Sequence, residues 1–177
     1  MTALREAIPQ DINRIMNLER LCFNEYTQES AETYRERIEY FPQGFMILEA
    51  EGAFAGAASS EIWPYRAEIS AEDFSLSHSI GGALALDGEE LYISSIAVLP
   101  QFRGRGYGAL LFRGLIDHVK EKFPRVTKGI LLINEDWKGA RQIYVRNGFS
   151  DQEILKGFFT ESDGTKRDGI VMRNDRI

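Results

Sequence analysis

A single cysteine, Cys22, occurs among 177 residues, which excludes an internal disulfide and any cysteine-built metal cage. Two histidines, His78 and His118, are too few for a histidine-rich zinc site, so no metal is expected. No apolar run approaches the ~20 residues that a membrane-spanning helix needs. The first residues, Met1-Thr2-Ala3-Leu4-Arg5-Glu6-Ala7, lack the apolar core of a signal peptide. A cytoplasmic protein with no membrane partner is the expectation. Positive charge is also scarce: 21 Lys and Arg against 27 Asp and Glu leave a net charge of −6. That balance disfavours nucleic acid as a partner and favours attraction of cations, amines included. The hydrophobic fraction of 44% is that of an ordinary globular chain. At this length one domain, residues 1–177, accounts for everything.

The elements follow from periodicity. Residues 4–8 alternate as a first strand until Pro9, and Asp11 is placed to cap a helix over 11–23, where Ile12, Ile15, Met16 and Cys22 recur at helical spacing. A second helix is expected over 30–41, stopped by Pro42 and Gly44. Residues 45–50 and 53–63 read as a hairpin about Glu51-Gly52. The stretch 64–88 shows no strong periodicity and reads as a long loop, with Glu68, Glu72 and Asp73 as a solvated acidic face. Residues 91–99 (LYISSIAVL) suit a strand covered on both faces. A helix is expected over 106–122, another strand over 129–134, and a short helix over 138–147 ended by Gly148. Two closing strands, 149–160 and 168–173, turn at Asp163-Gly164. The pattern is that of one mixed α/β domain.

The segment that carries chemistry is 94–111 (SSIAVLPQFRGRGYGALL), where a buried strand gives way to Arg103-Gly104-Arg105-Gly106-Tyr107-Gly108 and then a helix. Glycines at 104, 106 and 108 let a ligand approach the backbone. The first amides of a helix lack intrahelical partners and carry the positive end of its dipole, which together make an anion site. Arg103 and Arg105 add charged donors. The spacing Gly104-x-Gly106-x-x-Ala109 satisfies a dinucleotide fingerprint formally. It comes too late after its strand, however, and no acidic residue follows about 20 positions on. The P-loop pattern fails for want of Gly-Lys-Ser/Thr.

This segment resembles the GNAT superfamily of acyl-CoA-dependent N-acetyltransferases, whose signature Arg/Gln-x-x-Gly-x-Gly/Ala is met by Arg103 to Gly108. A second element, Ile143-Tyr144-Val145-Arg146-Asn147-Gly148-Phe149, matches the family's helix-ending Tyr-x-x-x-Gly-Phe pattern. The order of elements fits over nearly the whole chain. A finer likeness is to the serotonin (arylalkylamine) N-acetyltransferase group, through Glu19-Arg20-Leu21-Cys22-Phe23, Phe41-Pro42 and Trp63 before a long loop. That group carries two histidines where Tyr92 and Ser94 stand here, so its base relay is absent.

The resemblance implies an α/β (α+β) fold with a mixed, mostly antiparallel sheet of six to seven strands flanked by helices. Two central parallel strands splay apart to admit acetyl-CoA as acyl donor. Ile96, Ala97 and Val98 would pair with the pantetheine arm, and Arg103, Gly104, Arg105, Gly106, Tyr107, Gly108 and Ala109 would hold the pyrophosphate. The thioester would lie beside Ser94. Tyr144 is then the candidate acid for the departing thiolate, with core packing as its ordinary alternative.

An alkylamine with a pKa near 10.4 is neutral in only about one molecule per thousand at pH 7, so transfer needs a proton acceptor. Glu61 and Glu90 are the carboxylate candidates, each also readable as a surface charge, and Ser94 is a relay. His78, alone in the long loop, reads as solvent-exposed, and Cys22 as a buried thiol on an apolar face. Phe23, Tyr26, Trp63 and Tyr65 are candidates for an apolar acceptor wall. The leading reading is acetyl transfer to a small-molecule primary amine, with a homodimer left open. Two alternatives stand beside it: a non-catalytic acyl-CoA sensor, and a protein acetyltransferase acting on lysines or N-termini.

Overall fold

A computed structural model describes all of residues 1–177. Seven strands form one sheet in the order β1-β2-β3-β4-β5-β7-β6, with β1 at Thr2–Glu6, β2 at Phe45–Ala50, β3 at Ala53–Trp63, β4 at Glu90–Val98, β5 at Lys128–Asn134, β6 at Ser150–Thr160 and β7 at Lys166–Asn174. Every neighbouring pair is antiparallel except β4 and β5. The helices are α1 (Ile12–Cys22), α2 (Ala31–Tyr40), α3 (Ile80–Ala83), α4 (Tyr107–Lys122) and α5 (Lys138–Arg146). Among them no helix is long and apolar enough to cross a membrane.

The crossover from β4 to β5 runs through α4. Its stripe Leu111, Phe112, Leu115, Ile116 and Val119 is buried against β2, β3 and β4, which is what the apolar periodicity predicts. A parallel pair needs a connection of this length, so the one long helix and the one parallel pair are the same feature.

Three local expectations are corrected. The first strand covers Thr2–Glu6 rather than 4–8: Ile8 is exposed, and its amide turns to Asp11 Oδ2 at 3.0 Å as Pro9 opens a short 3-10 turn. Asp11 precedes α1 without capping it through its side chain. Its carboxylate is held by the Arg5 guanidinium at 2.7 and 2.8 Å, which keeps it below its ordinary pKa. The stretch 64–88 is not structureless, for it holds a 3-10 turn at Ala71–Phe74 and the short α3. Two isolated apolar residues, Phe74 and Ile80, are buried and seat it on the body; periodicity cannot register single anchors.

Candidate active site

Glu90 to Ile93 of β4 pair with Lys128 to Leu131 of β5, and there the pairing ends. Beyond Ile93 the two strands diverge and a cleft of about 1150 Å³ opens between them. That is ample for a ligand of several linked groups. Residues 94–98 keep β3 on one side and line the cleft on the other. The register against β3 slips here: Ser59 faces Ser95 and Ser60 faces Ile93, so Ser94 is the extra residue of a bulge. The Ser94 hydroxyl donates to the Ser59 carbonyl at 3.1 Å and lies 2.8 Å from the Ser59 hydroxyl. Ser94 thus lines the cleft as expected, yet its hydrogen is spent on holding the bulge.

One end of the cleft is the glycine turn. Gly104 and Gly106 have φ of +76° and +78°, a left-handed backbone that favours glycine, and a Cβ at either would enter open space. The first intrahelical bond of α4 runs from Leu110 N to the Gly106 carbonyl, so the amides of Tyr107, Gly108 and Ala109 have no intrahelical acceptor. Arg103 lines this end, its Nε donating to the Val98 carbonyl at 3.0 Å and its Nη2 reaching Cys22 Sγ at 3.2 Å. Arg105 turns away instead. Its guanidinium pairs with the exposed Glu51 carboxylate at 2.6 Å on the β2–β3 turn, and the residue does not line the cleft. Cys22 is half-buried at the cleft rather than sealed in the core, and its thiol donates to the Val98 carbonyl at 3.5 Å. Burial pushes this thiol up.

Tyr144 joins the two expectations made for it. Its ring packs on Phe112 with centroids 5.2 Å apart, while the residue lines the cleft. Burial alone raises its pKa well above the ordinary phenol range, so the hydroxyl keeps its proton.

The carboxylate candidates are placed otherwise than expected. Neither is a surface charge. Glu90 is buried at the paired end of β4, away from the cleft, with Arg173 Nε 3.0 Å from Oε1 and Arg173 Nη2 3.3 Å from Oε2. The Nε contact is an ion pair without hydrogen-bond alignment. Burial outweighs that attraction and raises the Glu90 pKa. Glu61 is fully buried, and both its oxygens are taken: Oε1 by Arg37 Nε at 3.3 Å and His78 at 2.8 Å, Oε2 by Trp63 Nε1 at 3.0 Å and His78 at 2.9 Å. These partners hold its pKa below the ordinary value against the cost of burial. His78 is consequently a half-buried, cleft-lining ion-pair partner rather than a solvated loop histidine.

Several cleft residues escaped sequence reasoning. Glu19 and Glu29 line the cleft with Tyr34 and Arg37. The Glu19 carboxylate accepts from Glu29 N and the Tyr34 hydroxyl, both at 2.8 Å, and burial pushes its pKa up to about 7. The cleft also carries an aromatic wall in which Trp137 contacts Phe23 at 5.8 Å and Phe159 at 5.3 Å. Phe158 and Phe159 both line the cleft because β6 slips between Leu155 and Phe159, where Gly157 has φ +61°. A glycine inside a strand pattern was the available signal for that bulge. Of the four aromatics expected here, Phe23 and Tyr26 line the cleft. Trp63 is buried behind Tyr92, stacked at 4.1 Å, and Tyr65 lies outside against Lys128 and Arg173.

The acetyltransferase (GNAT) family model matches residues 12–149. A [ribosomal protein bS18]-alanine N-acetyltransferase of Haemophilus influenzae is 31% identical over 84 residues, which cover 48% of this chain. The chain spans 56% of the length of that relative. A putative enzyme of the same name from Bacillus subtilis is 24% identical over 171 residues, covering 96% of this chain and 93% of its own. Among solved structures, the ribosomal-protein-S18-alanine N-acetyltransferase from Escherichia coli superposes with a TM-score of 0.72 at 20% identity, covering 98% of this chain and 92% of its own. The GphF GNAT-like decarboxylase, solved with isobutyryl-CoA, gives 0.76 at 17%, covering 97% and 98%.

Proposed function

The chain belongs to the acetyltransferase (GNAT) family, and from that premise we propose that it transfers an acetyl group from acetyl-CoA to a primary amine by direct attack. The observation that carries this reading is the parting of β4 and β5 after Ile93 and Leu131, which leaves one strand edge leading straight to the glycine turn.

The residues present fit an acyl-CoA. The cleft-lining edge of Ile96, Ala97 and Val98 supplies backbone groups of the kind a peptide-like pantetheine arm pairs with, the Val98 carbonyl being held by Arg103 and Cys22 until a ligand takes their place. The open space at Gly104 and Gly106, the amides of Tyr107, Gly108 and Ala109, and the Arg103 guanidinium suit a pyrophosphate. Arg105, paired with Glu51, is left out of that cradle. The thioester supplies the activated acyl group.

Tyr144, a cleft-lining hydroxyl that burial keeps protonated, is the acid for the departing thiolate, giving up its proton only as charge develops on the sulfur beside it. Ser94 shapes the bulge beside the acyl position. Proton acceptance falls to neither Glu61 nor Glu90. The cleft-lining carboxylates are Glu19 and Glu29, and Glu29 is spent on Ser30, Ser77 and Arg37. Glu19, at about 7, is matched to accept a proton near neutral pH.

The acceptor class is open between two readings. The relatives' names specify an alanine of ribosomal protein bS18, which favours a protein N-terminus. The aromatic wall of Phe23, Trp137 and Phe159 favours an amine with an apolar body, although the expected likeness to the arylalkylamine group is corrected by the comparisons, whose named relatives are ribosomal-protein-alanine acetyltransferases. Thiol release from acetyl-CoA, measured across arylalkylamines and peptides with N-terminal alanine, separates them. Tight acetyl-CoA binding without thiol release for any member would overturn the enzyme reading in favour of a sensor.

A further inference from the structure

The acceptor end of the cleft is closed by residues 75–79, a segment that belongs to none of the strands or to the glycine turn. Two buried carboxylates from distant parts of the chain hold it. Glu29, in the connection between α1 and α2, accepts from Ser77 N at 2.8 Å and from the Ser77 hydroxyl at 3.2 Å. Glu61, on β3, takes His78 Nε2 at 2.8 and 2.9 Å. Arg37 of α2 lies between the two, 3.4 Å from Glu29 Oε2 and 3.3 Å from Glu61 Oε1. Ser77 has φ +59°, a conformation that costs a serine free energy and persists only when its surroundings impose it.

The protonation of His78 follows from its partners. Nδ1 faces the Ser75 carbonyl at 2.8 Å, and a carbonyl only accepts, so Nδ1 carries a hydrogen. Nε2 faces a carboxylate that already receives Arg37 and Trp63 and is therefore ionised. Both ring nitrogens then donate, and the ring is an imidazolium. The charged and titratable groups facing it are Glu61 from β3, Arg37 from α2, Tyr92 from β4 with ring centroids 6.4 Å away, and Glu29 beyond Arg37. Through this pairing Ser75, Leu76 and His78 become cleft wall beside Glu29 and Phe74.

We propose that His78, pinned to the buried Glu61, is a positioning residue for the acceptor: the pair holds residues 75–79 as the wall of the amine pocket. The inference rests on the transferase reading given above. The pair has no contact with the glycine turn at the far end of the cleft, so its loss weakens acceptor binding and spares acyl-CoA binding. Loss of the imidazole also leaves the fold standing. Glu61 retains Arg37 and Trp63, and the segment stays anchored on either side by Phe74 and Ile80.

The test compares the wild type with His78→Ala and His78→Gln, using thiol release with the amine that the panel identifies, acetyl-CoA binding by calorimetry, and thermal unfolding. The expected result for His78→Ala is an acceptor KM raised about tenfold, the scale of one hydrogen bond to a charged group, with kcat and acetyl-CoA affinity within about twofold. His78→Gln keeps one donor toward Glu61 and recovers part of the loss. As pH rises above 6.5, the ratio of mutant to wild-type KM falls as the wild-type imidazolium loses its proton, without reaching one, because the neutral ring can keep its remaining hydrogen on Nε2 toward Glu61; the amine's own titration cancels in that ratio. An unchanged acceptor KM in His78→Ala overturns the inference. So does a rise in KM accompanied by falls in kcat, acetyl-CoA binding and melting temperature, which marks a merely structural contact. A wild type that releases no thiol with any amine overturns the transferase reading instead, and the acceptor role with it.

Discussion

Ile93 and Leu131 are the last residues at which the two parallel strands face each other, and both already line the cleft that opens beyond them. Everything assigned to acyl-CoA lies on the open side of that pair, and Glu90 lies on the closed side. The expectations below follow from that division.

Tyr144→Phe removes one hydroxyl from a ring whose packing on Phe112 and Phe149 is otherwise kept. We expect kcat to fall by about 10²-fold, the usual scale of a positioned acid, with the melting temperature nearly unchanged. Steady-state thiol release and a thermal scan measure the two; full activity at every pH would sink the acid role.

Gly106 and Gly108 differ in backbone despite equal composition. Gly106 is left-handed at φ +78°, whereas a Cβ at Gly108 meets Ile143 Cδ1 at an ordinary 3.4 Å. Gly106→Ala should cost about 1 kcal/mol in stability and a larger share of acetyl-CoA affinity. Gly108→Ala should fold as the wild type does. Calorimetric titration of both with acetyl-CoA checks the order.

Glu19 carries a raised pKa of about 7 against an ordinary 4.5, so the folded state favours its protonated form. Its contribution to stability is complete below pH 4.5 and is lost as pH rises to about 7, by about 3 kcal/mol. Glu19→Gln should flatten the stability profile over that window. The same variant should abolish the rise of kcat with pH near 7. A rise that persists would show that another group accepts the proton.

Glu90 and Arg173 form a buried pair outside the cleft. Arg173→Met strands a carboxylate in the interior and should destabilise the fold by about 3–5 kcal/mol. KM and kcat of the folded fraction should remain those of the wild type. A selective loss of kcat would return Glu90 to the catalytic candidates.

The legible parts of this protein are the local ones. The glycine turn could be read because left-handed backbone and close approach demand glycine at particular positions, and Gly104 and Gly106 supply them. The apolar stripe of α4 and the continuous run of β4 announced a buried crossover for the same local reason. The acceptor end was not legible. Glu61 looked like a strand-edge charge because nothing in its neighbourhood in sequence reveals Arg37, 24 residues earlier, or His78, 17 later. Phe158 and Phe159 face the same cleft only because of a register slip at Gly157 that period-two reading would place on opposite faces.

What the sequence by itself determined is the glycine turn, the element order and the family, since each depends on residue types at short spacing. What only the tertiary structure decided is which ionisable groups meet. Burying Glu19, Glu29, Glu61, Arg37 and His78 together makes their charges depend on contacts between elements, and burial sets both their pKa values and the wall against which an amine would rest.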